Sequence, residues 1–143
     1  MIDGEGCIYL SKCRRRTRRG FVWIPFVKIS NTNLVGIEKA REIIRRFTNR
    51  GSVVEDDYHD RPTRKPCYNL VVGGGKSVRS LLSNIQLVMK EKQRLLTIEA
   101  CNLLHENMRV GGNNRWHYAP PPNDVRLEEI YQELHALNRR GRK

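Results

Sequence analysis

The chain is short of acids. Asp and Glu number 15 against 27 Lys and Arg, a net charge of +12 in 143 residues. That imbalance excludes an acidic, solvating protein and favours a polyanionic partner: DNA, RNA or an anionic membrane surface. Long apolar runs are missing as well. No stretch approaches the roughly 18 consecutive apolar residues of a membrane span, and the start carries acids rather than the apolar region of a secretory signal. Membrane and secretion drop out, so the expectation is a soluble, intracellular protein of the cytoplasm or an organelle matrix. Cys7, Cys13, Cys67 and Cys101 form no CxxC pair, and His59, His105, His117 and His135 form no HxxxH pair. Only Cys101 and His105 stand one helical turn apart, too few ligands for a zinc centre. Reduced thiols and packing or surface histidines are expected instead. Low-complexity blocks and internal boundaries are absent, so residues 1–143 read as one domain.

Apolar residues, at 38%, suffice for a modest core, and their spacing divides the chain into elements. After an opening MIDGEG, residues 7–13 alternate as a strand, with Ile8 and Leu10 on one face and Tyr9 and Ser11 on the other. RRRTRRG at 14–20 is a basic turn. FVWIPFVKIS at 21–30 is rich in β-branched and aromatic residues and reads as a second strand, with Pro25 arguing for an edge or a bulge. Asn31-Thr32-Asn33 offers N-cap side chains to a helix over 34–48, closed by Gly51. Strands follow at 52–55 and 67–72, separated by a polar loop over 57–66. Helices are expected over 76–85, 89–107 and 125–137, with a loop at 110–124 and a basic end. The order after the opening is ββαββα with extra helices behind.

Met1-Ile2-Asp3-Gly4-Glu5-Gly6 resembles the second half of the motif that names the LAGLIDADG homing endonucleases. Asp3-Gly4-Glu5-Gly6 matches its D-x-D/E-G end. The likeness continues through Ile29-Ser30-Asn31-Thr32-Asn33, Tyr68-Asn69-Leu70, Met89-Lys90-Glu91-Lys92-Gln93 and a terminal helix ending Leu-Asn-Arg-Arg-Gly. Several matches in the right order cover nearly the whole chain. One departure is plain: most of the motif's opening helix is missing before Met1.

The resemblance implies an α+β fold, αββαββα, with a curved antiparallel four-stranded DNA-binding sheet backed by helices. It implies a sequence-specific, divalent-metal-dependent endonuclease of intron or intein homing type. The partner would be double-stranded DNA, and two chains would form a homodimer through the motif helix. An RNA-binding intron maturase, or a DNA binder that has lost cleavage, remains open within the same fold. Glu5 is implied as the metal ligand for Mg²⁺ or another divalent metal such as Mn²⁺, with Asp3 more structural, since such ions take one or two carboxylates plus phosphate oxygens and water. The lesser alternative is that Asp3 and Glu5 only stabilise a turn through side-chain hydrogen bonds. Lys90 is implied as the basic catalytic residue, with Lys92 as alternative. Asn31 either orients water or caps the next helix. DNA contact is expected from Tyr9, Ser11 and Cys13 on the first strand, Lys28 and Ser30 on the second and Asn69 on the fourth. Arg14, Arg15, Arg16, Arg18 and Arg19 in one hairpin turn, and Arg61, Arg64 and Lys65 in the other, would contact phosphates or outer bases.

Overall fold

Period-two alternation in four segments becomes one antiparallel sheet, and its apolar side is covered by helices. The computed structural model describes residues 6–14, 21–56, 65–111 and 123–140, with the backbone alone for Arg14, Phe21, 107–111 and Arg140. The strands are β1 (Gly6–Arg14), β2 (Phe21–Asn31), β3 (Ser52–Asp56) and β4 (Cys67–Gly73). Their order in the sheet is β1-β2-β4-β3. The helices are α1 (Leu34–Arg45), α2 (Gly75–Ser83), α3 (Glu91–Gly111) and α4 (Asp124–Arg140). Among the described residues the order is ββαββααα. The α+β expectation holds, while residues 1–5 of the opening motif lie outside the described residues. No described helix is long and apolar enough to cross a membrane.

Register decides the two faces. Ile8, Leu10, Trp23, Val27, Ile29, Leu70 and Val72 are all buried on one side. Beneath α1 and α2, Ile37, Ile44, Val78, Leu81 and Leu82 complete one core cluster with Ile8, Val27, Ile29, Leu70 and Val72. Beneath α3 and α4, Leu96, Ala100, Leu127, Ile130 and Leu134 form a second with Leu10 and Trp23. Each fully buried Leu or Ile contributes roughly 1.5–3 kcal/mol by leaving water. The other side of the sheet contributes to neither cluster.

Pro25 sits in an interior strand, not at an edge. Its carbonyl accepts the Gly74 N–H at 3.0 Å, so that side of Pro25 faces β4. A residue's N and C=O point the same way in a strand, so the missing N–H also faces β4, one residue beyond the last β2–β4 pair, Phe26 with Gly73. No ladder bond is lost.

Helix limits shift by a few residues. Asn33, not Asn31, is the N-cap of α1, its Oδ1 accepting the Gly36 N–H at 3.2 Å. Asn31 Oδ1 accepts the Asn33 N–H at 2.8 Å and shapes the turn into that cap. Arg46 caps the end of α1, whereas Gly51, with φ +148°, leads into β3. α3 starts at Glu91, with the Lys90 carbonyl accepting from Arg94 N. Arg94 then ties α3 to α2 by donating to the Leu82 carbonyl at 2.8 Å.

Candidate nucleic-acid interface

The sheet face away from the helices carries Cys7, Tyr9, Ser11 and Cys13 from β1. Across from them lie Lys28, Phe26, Ile24 and Val22 of β2. β4 adds Cys67, Asn69, Val71 and Gly73, and β3 adds Ser52, Val54 and Asp56. Tyr9, Ser11, Cys13, Lys28, Ser30 and Asn69 therefore share one face. Most are half-buried, but Asn69 is only 3% exposed. Its Oδ1 accepts from the Ser30 hydroxyl at 2.5 Å, so it orients Ser30 and has little surface of its own for a ligand. Ser11 Oγ lies 3.3 Å from Cys13 Sγ.

Tyr9 and Phe26 stack with ring centroids 5.4 Å apart. Burial, and then the neighbouring Cys7 and Cys13, push the Tyr9 phenol up from its ordinary value. It stays protonated near neutrality and keeps its O–H as a donor. Gly73 is what leaves room for this stack. A Cβ there would stand 2.5 Å from Phe26 Cε1. Gly73→Ala is expected to push Phe26 off Tyr9 and to cost about 1–3 kcal/mol of stability, read as a lower thermal midpoint. Combining it with Phe26→Leu should recover part of that loss. An unchanged midpoint in Gly73→Ala would show that the ring is not held there.

One end of this face meets α3. Lys90 Nζ donates at 2.5 Å to the carbonyl of Gly6, the residue that follows Glu5. Two residues along, Asn138 Nδ2 of α4 donates to the Ile8 carbonyl at 2.9 Å. Lys90 and Asn138 thus satisfy backbone acceptors of β1, an edge strand that would otherwise invite pairing. Lys92, the alternative to Lys90, points elsewhere, to Glu133 at 3.4 Å. α4 is further fixed by Trp23 Nε1 donating to Asp124 Oδ1 at 2.8 Å and by Lys12 on Glu128 at 2.9 Å. Lys12 holds the Glu128 carboxyl below its ordinary value.

Asp3, Glu5, Arg15, Arg16, Arg18, Arg19, Arg61 and Arg64 lie outside the described residues, as does the side chain of Arg14. Lys65 is exposed just before β4. No described group of three or more His, Cys, Asp or Glu could hold a metal ion.

No protein-family profile and no characterised protein sequence matches the chain. Solved structures do. It superposes on the homing endonuclease I-CvuI in complex with its target, at TM-score 0.67 and 14% identity, over 95% of this chain and 76% of that one. The archaeal intron-encoded homing endonuclease I-Vdi141I, complexed with DNA, gives 0.68 at 20% identity over 95% and 78%. The homing endonuclease I-TnaI gives 0.62 at 17% identity over 99% and 92%.

The chain has the LAGLIDADG homing endonuclease fold.

In this fold the strand register places the residues that alternation had singled out on the helix-free face of the sheet. Other residues there were missed. Val22, Ile24, Phe26 and Val71 share the face, and the same alternation marks them, but a search for polar types alone passes over them. Apolar contact with a thymine methyl is as much a part of groove readout as a hydrogen bond. Asn138 was visible only as part of the terminal Leu-Asn-Arg-Arg-Gly.

Proposed function

We propose that the chain is a sequence-specific, divalent-metal-dependent endonuclease of homing type, acting on double-stranded DNA as a homodimer. The observation that carries this reading is Lys90 at Gly6: a lysine and the last residue of the acidic motif meet at one end of the sheet. The fold's solved examples I-CvuI and I-Vdi141I are held with DNA, and I-CvuI has been crystallised with Ca and with Mg.

Each part has a physical role. The sheet face docks in the major groove, with Lys28, Ser30, Tyr9 and Ser11 as polar readers and Phe26 and Val71 as apolar ones. The hairpin arginines contact phosphates and set register. Glu5, one residue before β1, would hold the metal with Asp3 in support, and a hard divalent cation suits a carboxylate shared with phosphate oxygens and water. When bound, that ion supplies charge neutralisation and an activated water. The Lys90 ammonium, fixed near the motif by the Gly6 carbonyl, stabilises charge that develops on the phosphate. These 143 residues carry one acidic motif, and cutting both strands calls for two such motifs side by side, supplied here by two chains.

Lys90→Met tests the carrying contact. Cleavage of a target duplex should fall about 10²–10³-fold, with affinity changed little. The thermal midpoint should be followed in parallel, because Lys90 also satisfies a β1 carbonyl. Undiminished cleavage would remove Lys90 from the site. A parent dimer that binds a target duplex but cannot nick it with Mg²⁺ or Mn²⁺ would leave a binding protein.

A further inference from the structure

Much of the charge on the helical side is neutralised in place. Glu38 meets Arg41, Glu91 meets Arg94, Glu99 and Glu129 meet Arg126, Glu128 meets Lys12 and Glu133 meets Lys92. Four other cations are treated differently. Arg45 ends α1, Arg46 and Arg50 follow it, and Lys76 lies in the first turn of α2. All four are exposed, and none of their side chains has an ion pair or hydrogen bond among the described residues. They line one open cleft of about 630 Å³, together with Gly73, Gly74 and Gly75.

Two features bear on what the cleft takes. The first is its backbone. Gly74, with φ +96°, is held to glycine by its backbone, whereas a side chain added at Gly75 would meet open space, so packing does not account for the absence of one there. Glycines leave the chain open to close approach by a ligand. The second is position. Gly73 belongs both to this cleft and to the helix-free face, where it pairs with Phe26. Next to it on that face, Val71 pairs with Ser52, the first residue of β3. The cleft therefore adjoins the end of the proposed DNA-docking surface at the β4–α2 turn.

We propose that this cleft clamps backbone phosphates of the same duplex that the sheet docks on. The proposal rests on the DNA-binding reading above and adds a second contact outside the sheet. Duplex DNA carries one charge per roughly 1.7 Å of axis, so a duplex crossing the sheet brings phosphates to its end. Arginine offers paired donors for such oxygens and lysine a point charge. The clamp raises affinity and fixes register, and it reads no base.

The test is a triple variant, Arg46→Gln, Arg50→Gln and Lys76→Gln, in the full chain. Duplex affinity is titrated from low to high salt on a target and on an unrelated sequence. Affinity should fall about tenfold or more on both, by the same factor. The slope of log affinity against log salt should become shallower by about two to three. The thermal midpoint should hold, since all three side chains are exposed. Lys39→Gln, on the same helix but not lining the cleft, should change little; a comparable loss per charge there would reduce the effect to net charge and overturn the clamp. Parental affinity and slope in the triple variant would also overturn it while leaving the DNA-binding reading in place. A parent chain that binds no duplex would remove both. If inorganic phosphate stabilises the parent but not the variant, and duplex binding is equal, the cleft is a small-anion site and the clamp falls.

Discussion

Glu5→Gln is expected to lower cleavage by several orders of magnitude while leaving duplex binding intact or tighter. Glutamine keeps the shape of the side chain but removes the charge that would hold a divalent cation, and with it both neutralisation and water activation. Binding should survive because most affinity comes from cations meeting phosphates. In the proposed site, removing one carboxylate beside the phosphates would lessen repulsion. Nicking and double-strand cleavage must be scored separately, since a dimer with one intact site still nicks. Full cleavage by the Glu5→Gln homodimer would remove Glu5 from the metal site. Loss of folding and binding together would make Glu5 a turn residue and return a binding protein to first place.

Raising salt should have an effect of similar size on affinity. The net charge of +12 cannot be spread evenly, because acids of the helical layer already occupy many of its cations in ion pairs. Among the described residues, Arg45, Arg46, Arg50 and Lys76 of the cleft at the β4–α2 turn belong to the unpaired excess. If six to ten phosphates are neutralised, affinity should drop about 10³–10⁵-fold between 50 and 200 mM salt. Equilibrium titration of one duplex across that range measures it. A flat response would remove nucleic acid as the partner, since no uncharged interface gives so steep a dependence.

Most strands and helices were legible because local periodicity reports them. Ile8 and Leu10 against Tyr9 and Ser11 divide β1 into two faces, and both faces stand as read. Ile37 and Ile44 mark the inner side of α1 in the same way. Ends were less legible. α1 stops at Arg45 rather than Thr48, because the chain tightens into a turn there: the Phe47 and Thr48 N–H groups both reach the Ile44 carbonyl. Pro25 was legible as a strand residue that cannot donate, but not as one inside the sheet. That depended on where β4 stops.

By itself, the sequence determined the charge, the period of each element, the apolar face of the sheet and the acidic motif at the head of β1. These are local properties, set by residue type at spacings of two or of three to four. Tertiary structure alone decided what meets what. Strand order put Ser30 against Asn69. The packing of α3 brought Lys90 to Gly6 across 84 residues, and that of α4 brought Asn138 to Ile8 across 130. The four cations of the cleft come from segments some 25–30 residues apart, gathered because α1 and α2 cover the same core cluster. Such meetings follow from which apolar faces bury against each other, and no local period carries that information.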